Sequence, residues 1–184
     1  RAIRRLHFGA ALGGGVARID GHGEVRRGRA LVRFNASAGK GGDRLSLLID
    51  AEPDRNRFDV DSRLDAPAHG IIGHMIGTDR PMSLRIGGDG SWTAWKGRAL
   101  LDVSGLRIVD LQLGANSGRY SLAGMLAPAQ ITQGKKARLT APQVTVAGQA
   151  QLADRRLTGK FALRSPALDL AGGGAIDLGQ SRFD

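Results

Sequence analysis

An all-β fold is predicted: one elongated antiparallel sheet of repeated hairpins, with one short helix near residues 67–77. Three observations carry this. Apolar residues recur at every second position, the period of a strand buried on one face, as in Ala99, Leu101 and Val103, then Leu111, Leu113 and Ala115, then Tyr120 and Leu122. Ser104-Gly105 and Asn116-Ser117-Gly118 fall between these sets, and such residues turn the chain because they tolerate positive φ and bond their own backbone. The unit also recurs. Gly28-Arg29-Ala30-Leu31 returns as Gly97-Arg98-Ala99-Leu100, and Gly148-Gln149-Ala150-Gln151-Leu152 keeps the same small, polar, apolar order, which marks a degenerate repeat of strands.

Taken in order, Ala2 to Phe8 alternates apolar and basic residues and runs into the glycine-rich Gly9 to Gly15. Val16 to Asp20 and Glu24 to Phe34 are expected as two strands around Gly21-His22-Gly23, with a bulge to reconcile the adjacent Leu31 and Val32. Past a turn cluster at Gly39 to Asp43, Leu45, Leu47 and Ile49 form one face of a strand, and Glu52-Pro53-Asp54-Arg55-Asn56 closes a hairpin. The return strand sets Phe58, Val60 and Leu64 against Asp59, Asp61 and Arg63 on the other face.

The period then changes. In Ala66 to Gly77, Ile71, Ile72, Met75 and Ile76 stand at helical spacings, with Pro67 early and Gly77 at the stop, the usual asymmetry of a helix. Glycines 70 and 73 weaken such a helix, so it is expected to survive by laying its apolar face on the sheet. Met82, Leu84 and Ile86 open another strand, with Gly87-Gly88-Asp89-Gly90 expected as a turn. Trp92 and Trp95, three apart, cannot share a strand face without a bend, so one is assigned to the helix and the other to a sheet end. Leu126 to Gly134 is expected as a connector, and Lys135-Lys136 as the start of a strand toward Leu139. Val144, Val146, Gly148, Ala150 and Leu152 then share a face. Asp154-Arg155 turns the chain, Leu157, Gly159, Phe161 and Leu163 return, Ser165-Pro166 turns again, and Leu168, Leu170, Ile176 and Leu178 finish it.

Composition limits the functions available. There is no Cys, so neither a disulfide nor a thiolate metal site can form. No run of about eighteen apolar residues occurs. The net charge of +10, from 27 Lys and Arg against 17 Asp and Glu, invites a nucleic-acid partner; but the arginines alternate with apolar residues along strands and aromatics make up only 4%. A solvated strand face explains that pattern better than a stacking surface for bases, and no nucleic-acid partner is expected. His69 and His74 are five apart, where a zinc pair on a helix prefers three or four. The glycines at 87–90 lack the Gly-Lys-Ser/Thr of a phosphate loop. No Ser-His-Asp order or Gly-x-Ser-x-Gly elbow is present, and Asp59, Asp61, Asp102 and Asp110 alternate with apolar residues as on an exposed strand face. The expectation is a non-enzyme without a cofactor.

What remains is a long apolar face that needs a cover. Either a second sheet closes it into a sandwich, serving as a scaffold or adhesion module, or the sheet curls into a groove and lipid acyl chains occupy it. An outer-membrane barrel is a third option, without its aromatic girdles. The 28 glycines and few aromatics favour the groove, because closed cores of this size use more large rings. Its lining would be Leu45, Leu47 and Ile49; Phe58 and Val60; Leu84 and Ile86; Leu111 and Leu113; Tyr120 and Leu122; Val144 and Val146; and Phe161 and Leu163.

One stretch carries a family likeness. Gly77-Thr78-Asp79-Arg80-Pro81-Met82-Ser83-Leu84, leading through Gly88-Asp89-Gly90 to Trp92 and Trp95-Lys96-Gly97-Arg98-Ala99 and flanked by short apolar strands, resembles the AsmA-like TamB family of proteobacterial translocation and assembly modules. The resemblance implies a parent chain anchored in the inner membrane that crosses the periplasm as a β-taco-like groove, carries phospholipid outward and supports outer-membrane biogenesis with a partner barrel of the TamA type. Residues 1–184 would then be one continuous internal segment of the periplasmic region, with the anchor and the barrel-docking part elsewhere in the parent. The family supplies no catalytic residues.

Overall fold

A computed structural model describes residues 2–12, 15–38, 42–75, 78–91, 93–177 and 182–183. Among these residues thirteen strands form one antiparallel sheet in strict sequence order, so each strand is hydrogen-bonded only to its chain neighbours. They are β1 (Ala2–Leu12), β2 (Gly15–Arg26), β3 (Arg29–Ala38), β4 (Asp43–Glu52) and β5 (Arg57–Ala66). The helix α1 (Ile71–Met75) follows, then β6 (Met82–Gly90), β7 (Ala94–Val103), β8 (Leu106–Asn116) and β9 (Arg119–Leu126). A second helix, α2 (Gly134–Thr140), precedes β10 (Val144–Ala153), β11 (Arg156–Ser165), β12 (Leu168–Asp177) and β13 (Arg182–Phe183).

The sheet is open, with β1 and β13 at its two edges. Twelve strand spacings of about 4.8 Å make it about 58 Å wide, and accumulated twist curls a sheet of this many strands. Its accessible surface is 12769 Å², about half as much again as the roughly 8,500 Å² of a compact protein of this mass. Among the described residues no second sheet lies over it.

Two-residue turns set the hairpins. Arg27-Gly28, Ser104-Gly105, Ser117-Gly118 and Asp154-Arg155 all have positive φ at both positions, the conformation whose twist matches that of the flanking strands. The last three are the turns expected from sequence. Elsewhere the structure corrects the expected boundaries. Gly21-His22-Gly23 lies inside β2, in unbroken register with β3, and no bulge is needed for Leu31 and Val32, which lie on opposite faces. The register shifts fall instead between Ile3 and Leu6 in β1 and between Leu101 and Asp102 in β7. Gly87 to Gly90 is not a turn but the end of β6, paired residue for residue with Trp95 to Arg98. Lys135 to Leu139 is helical, in α2, not a strand. Trp92, Ile76, Gly77 and Leu178 lie outside the described residues.

The helix expected within 67–77 is α1, and its attachment is polar as well as apolar. Asp43, only 1% exposed, accepts hydrogen bonds through Oδ2 from the backbone N–H groups of Ile71 at 2.5 Å and Ile72 at 3.2 Å. It ties the first strand residue of β4 to the first turn of α1 and satisfies two donors that a helix start leaves unpaired. Gly70 is required there: a Cβ at that position would come within 2.2 Å of Asp43 Oδ1. Ile72 packs on a buried cluster of Ala66, Met82, Val103 and Ile108, which Leu101, Val109 and Ile131 also touch. Met75, expected on the packed side, is 76% exposed. The connection from β9 to β10 returns to the same cluster, through a 3-10 turn at Pro128–Gln130 followed by Ile131. Both long connections therefore cover one margin of the sheet.

Asp43→Ala removes the tie and leaves two buried N–H groups without acceptors. It is expected to lower unfolding stability by about 1–3 kcal/mol and to speed amide hydrogen exchange at Ile71 and Ile72 more than in the strands. Unchanged exchange at those two amides would show that Asp43 does not hold the helix.

Candidate functional site: an uncovered apolar face

Residues directly opposite each other in an antiparallel pair project from the same side of the sheet, so the register fixes which side chains share a face. One row across the sheet runs Leu45, Leu64, Leu84, Leu101, Val109, Leu126, Val144. The next runs Leu47, Ser62, Ile86, Ala99, Leu111, Gly124, and then Val146 and Leu163. A third contains Ile49, Val60, Gly88, Gly97, Leu113, Leu122, and then Gly148 and Phe161. Phe58 and Tyr120 stand one row further along, opposite Ala51 and Ala115. The fifteen residues expected to line a groove thus lie on one side of one sheet, from β4 to β11.

Exposure distinguishes an open face from a closed core. Of the fifteen, only Val144 and Val146 are buried; Tyr120 is 43% and Phe161 47% exposed, and the other eleven are half-buried. A second sheet would bury them throughout. Ala99 and Val146 are shielded to 8% and 7% by neighbours on their own face, in a sheet that curls.

Several residues of this face escape a search for alternating large side chains. Val32 and Phe34 on β3 belong to it, opposite Ile49 and Leu47. Trp95 belongs to it as well. Its ring lies over two glycines, since a Cβ on Gly88 or on Gly97 would come within 2.3 or 2.2 Å of ring carbons. Phe161 lies over Gly172 in the same way, at 2.8 Å. Glycine inside a strand marks a close approach, and here it makes room for a neighbouring ring. The Trp95 indole nitrogen is buried without a hydrogen-bond partner.

The opposite face is polar, with Leu31, Leu48, Leu100 and Met125 as apolar exceptions. Three of its arginines are matched to carboxylates by paired hydrogen bonds. Arg29 donates to Asp50 from Nε at 2.7 Å and Nη2 at 2.5 Å; Arg98 donates to Asp110 at 2.7 and 2.5 Å; Arg107 donates to Asp102 at 2.5 and 3.2 Å. The hydrogen bonds from their arginines hold Asp50, Asp102 and Asp110 below the usual carboxylate range, against desolvation, which acts the other way. Three concavities, of about 830, 730 and 290 Å³, are bordered by residues of this polar side, the first also by Trp95, Ala115, Tyr120, Ala150 and Gly159 of the apolar rows. Among the described residues no group of three or more His, Asp or Glu is placed to hold a metal ion.

Removing a matched arginine changes the acid response of the fold. A carboxylate whose pKa is lowered on folding contributes stability that is complete above its unfolded value of about 3.9 and is lost as pH falls through the lower folded value. In Arg29→Met, burial of Asp50 is opposed only by the smaller attraction of Arg57, so its titration moves up and that acid-side loss shrinks. Carboxyl NMR titration together with melting between about pH 3 and 7 checks this; an unmoved Asp50 midpoint would contradict it.

No protein-family model matches the chain, and no curated protein or solved structure matches it.

Proposed function

We propose that this chain is a segment of a lipid conduit, in which the apolar face solvates phospholipid acyl chains between inner and outer membrane. The single observation that carries the proposal is an uncovered apolar surface continuous across eight strands. From β4 to β11 it spans about 34 Å across the strands and about 20 Å along them, larger than the few hundred Å² of contiguous apolar surface that soluble monomers usually expose. A leaflet of bilayer hydrocarbon is about 15 Å deep, half of a core of roughly 30 Å. An acyl chain laid along a strand therefore fits within the width of the face. Contact with it removes apolar area from water at roughly 25 cal/mol per Å².

The alternative of a closed sandwich acting as a scaffold or adhesion module needs a second sheet, and the strands make one. In the conduit reading, the chain works in the periplasm as a stretch of a longer TamB-like protein anchored in the inner membrane. A barrel of the TamA type joins through parts of the parent outside this chain, and the cargo path supports outer-membrane biogenesis. Catalysis plays no part.

Leu113 tests the reading, because it sits in the middle of the face and is half-buried. In a closed core, Leu113→Arg leaves an unpaired buried charge and unfolds the protein. On an open face, the long side chain reaches past its neighbours and keeps its charge in water. The expected result is a variant folded by circular dichroism that no longer retains phospholipid in native mass spectrometry, where the parent sequence does. Lipid retained at the parent level removes Leu113 from the path, and unfolding favours a covered core.

A further inference from the structure

The largest of the three concavities differs from the other two in its charge. It crosses five consecutive strands, β7 to β11, and Lys96, Arg119 and Lys160 line it without any carboxylate. The other two each contain both signs, with Arg44 and Arg107 beside Asp65 and Asp102 in one, and Arg18, Arg44 and Arg63 beside Asp20 and Asp65 in the other. Asp89 on β6 is the register partner of Lys96, yet it does not line the trough and forms no ion pair with the lysine. Arg29, Arg98 and Arg107 on this face are each held by an aspartate, whereas these three cations, all exposed, are left to solvent in one trough that no carboxylate lines.

Their placement is ordered. Lys96, Gly114, Ser121, Gln149 and Lys160 form a single register row, so the two lysines stand four strand spacings apart, about 19 Å along the sheet. Arg119 lies on the middle strand, one row over. Between the cations the floor is small: a Cβ on Gly114 would meet the Ser121 hydroxyl at 2.5 Å. Asn116, Gln149 and Gln151 add side-chain amides along the same trough.

The geometry points to a binding site for an anionic oligosaccharide on the outer, polar side of the sheet. Charges about 10 Å apart along a trough suit an extended chain with repeated carboxylates or phosphates, not a single compact anion. Amides and hydroxyls between them supply the paired donors and acceptors that sugar hydroxyls need. Trp95 and Tyr120 border the same trough, but by register they stand in a row of the opposite face, whereas the cations and amides belong to rows of this one, so base stacking is not what the charged row offers. The charged row is separate from the apolar face and does not depend on its cargo.

The test uses the whole chain and an oligogalacturonate of about six sugars, whose length exceeds the roughly 19 Å between the lysines, followed by calorimetry and amide NMR at low salt. Binding is expected, with shifts at Gly114, Ser121 and Gln149. Lys96→Gln with Lys160→Gln is expected to weaken it about tenfold or more. Arg33→Gln, an equal charge change per site on the same face but outside the trough, is expected to leave it within about twofold. Gln149→Ala is expected to weaken binding without changing its salt dependence. The inference is overturned by absence of binding, by equal binding of a neutral maltohexaose, or by a loss in Arg33→Gln as large as in the lysine variant. Tighter binding of oligothymidylate, lost in the same lysine variant, would also overturn it and assign the trough to nucleic acid.

Discussion

Cross-strand register is the constraint on which the rest of the structure depends. A strand slipped by one residue would carry its whole apolar set to the wrong side. Here a single sheet of consecutive hairpins has no second layer to enforce the choice. The tight turns enforce it locally: Arg27-Gly28, Ser104-Gly105, Ser117-Gly118 and Asp154-Arg155 each fix two residues at positive φ, and a two-residue loop of that type admits one pairing of its flanking strands. Cross-strand pairs such as Arg98 with Asp110 and Arg107 with Asp102 reinforce the same register from the polar side. Because each strand pairs only with its chain neighbours, an error in one hairpin would propagate to the next.

The register produces two chemically different surfaces from one layer of backbone. On one side Leu, Ile, Val and Phe alternate with glycines that admit neighbouring rings; on the other, Arg and Asp pair across strands. The margin carrying α1 and the 3-10 turn is closed by Ile72 and Ile131 over Ala66, Met82, Val103 and Ile108. The register shift in β7 and β8 helps to build that closure, since Ile108 falls at the irregularity and is buried in the cluster. The apolar face is thus covered at one margin and uncovered across its middle, as the proposed contact with lipid requires.

The alternation itself was legible in the sequence, because a period of two survives wherever large apolar residues occupy the face, as at Leu45, Leu47 and Ile49. Turns made of Ser-Gly and Asp-Arg were equally legible. Glycine misled where it lay inside a strand. Gly87 to Gly90 has the composition of a loop, and only the ring of Trp95 lying over Gly88 and Gly97 explains why those residues stay extended. Gly21 and Gly23 sit opposite Phe34 and Val32, but a Cβ at either would meet nothing within 4 Å, so register alone places them inside the strand. The seven residues of α2 are too few to display a helical period, so Lys135 to Leu139 imitated a strand. Asp43 gave no sign of its role, since the donors it satisfies are 28 and 29 positions away. The basic trough was invisible for a similar reason: which lysines lack a carboxylate depends on pairings made across the sheet.

The central claim, one uncovered apolar face that contacts acyl chains, is tested most directly by paramagnetic NMR with doxyl-labelled stearate in micelles or bound to the protein. The account predicts broadening with a period of two along each central strand: Leu47, Ile49, Leu111 and Leu113 side-chain signals weaken, while Leu48, Gln112 and Ala147 on the other face keep their intensity. Broadening that is uniform along the strands, or that falls on the polar face, would contradict it.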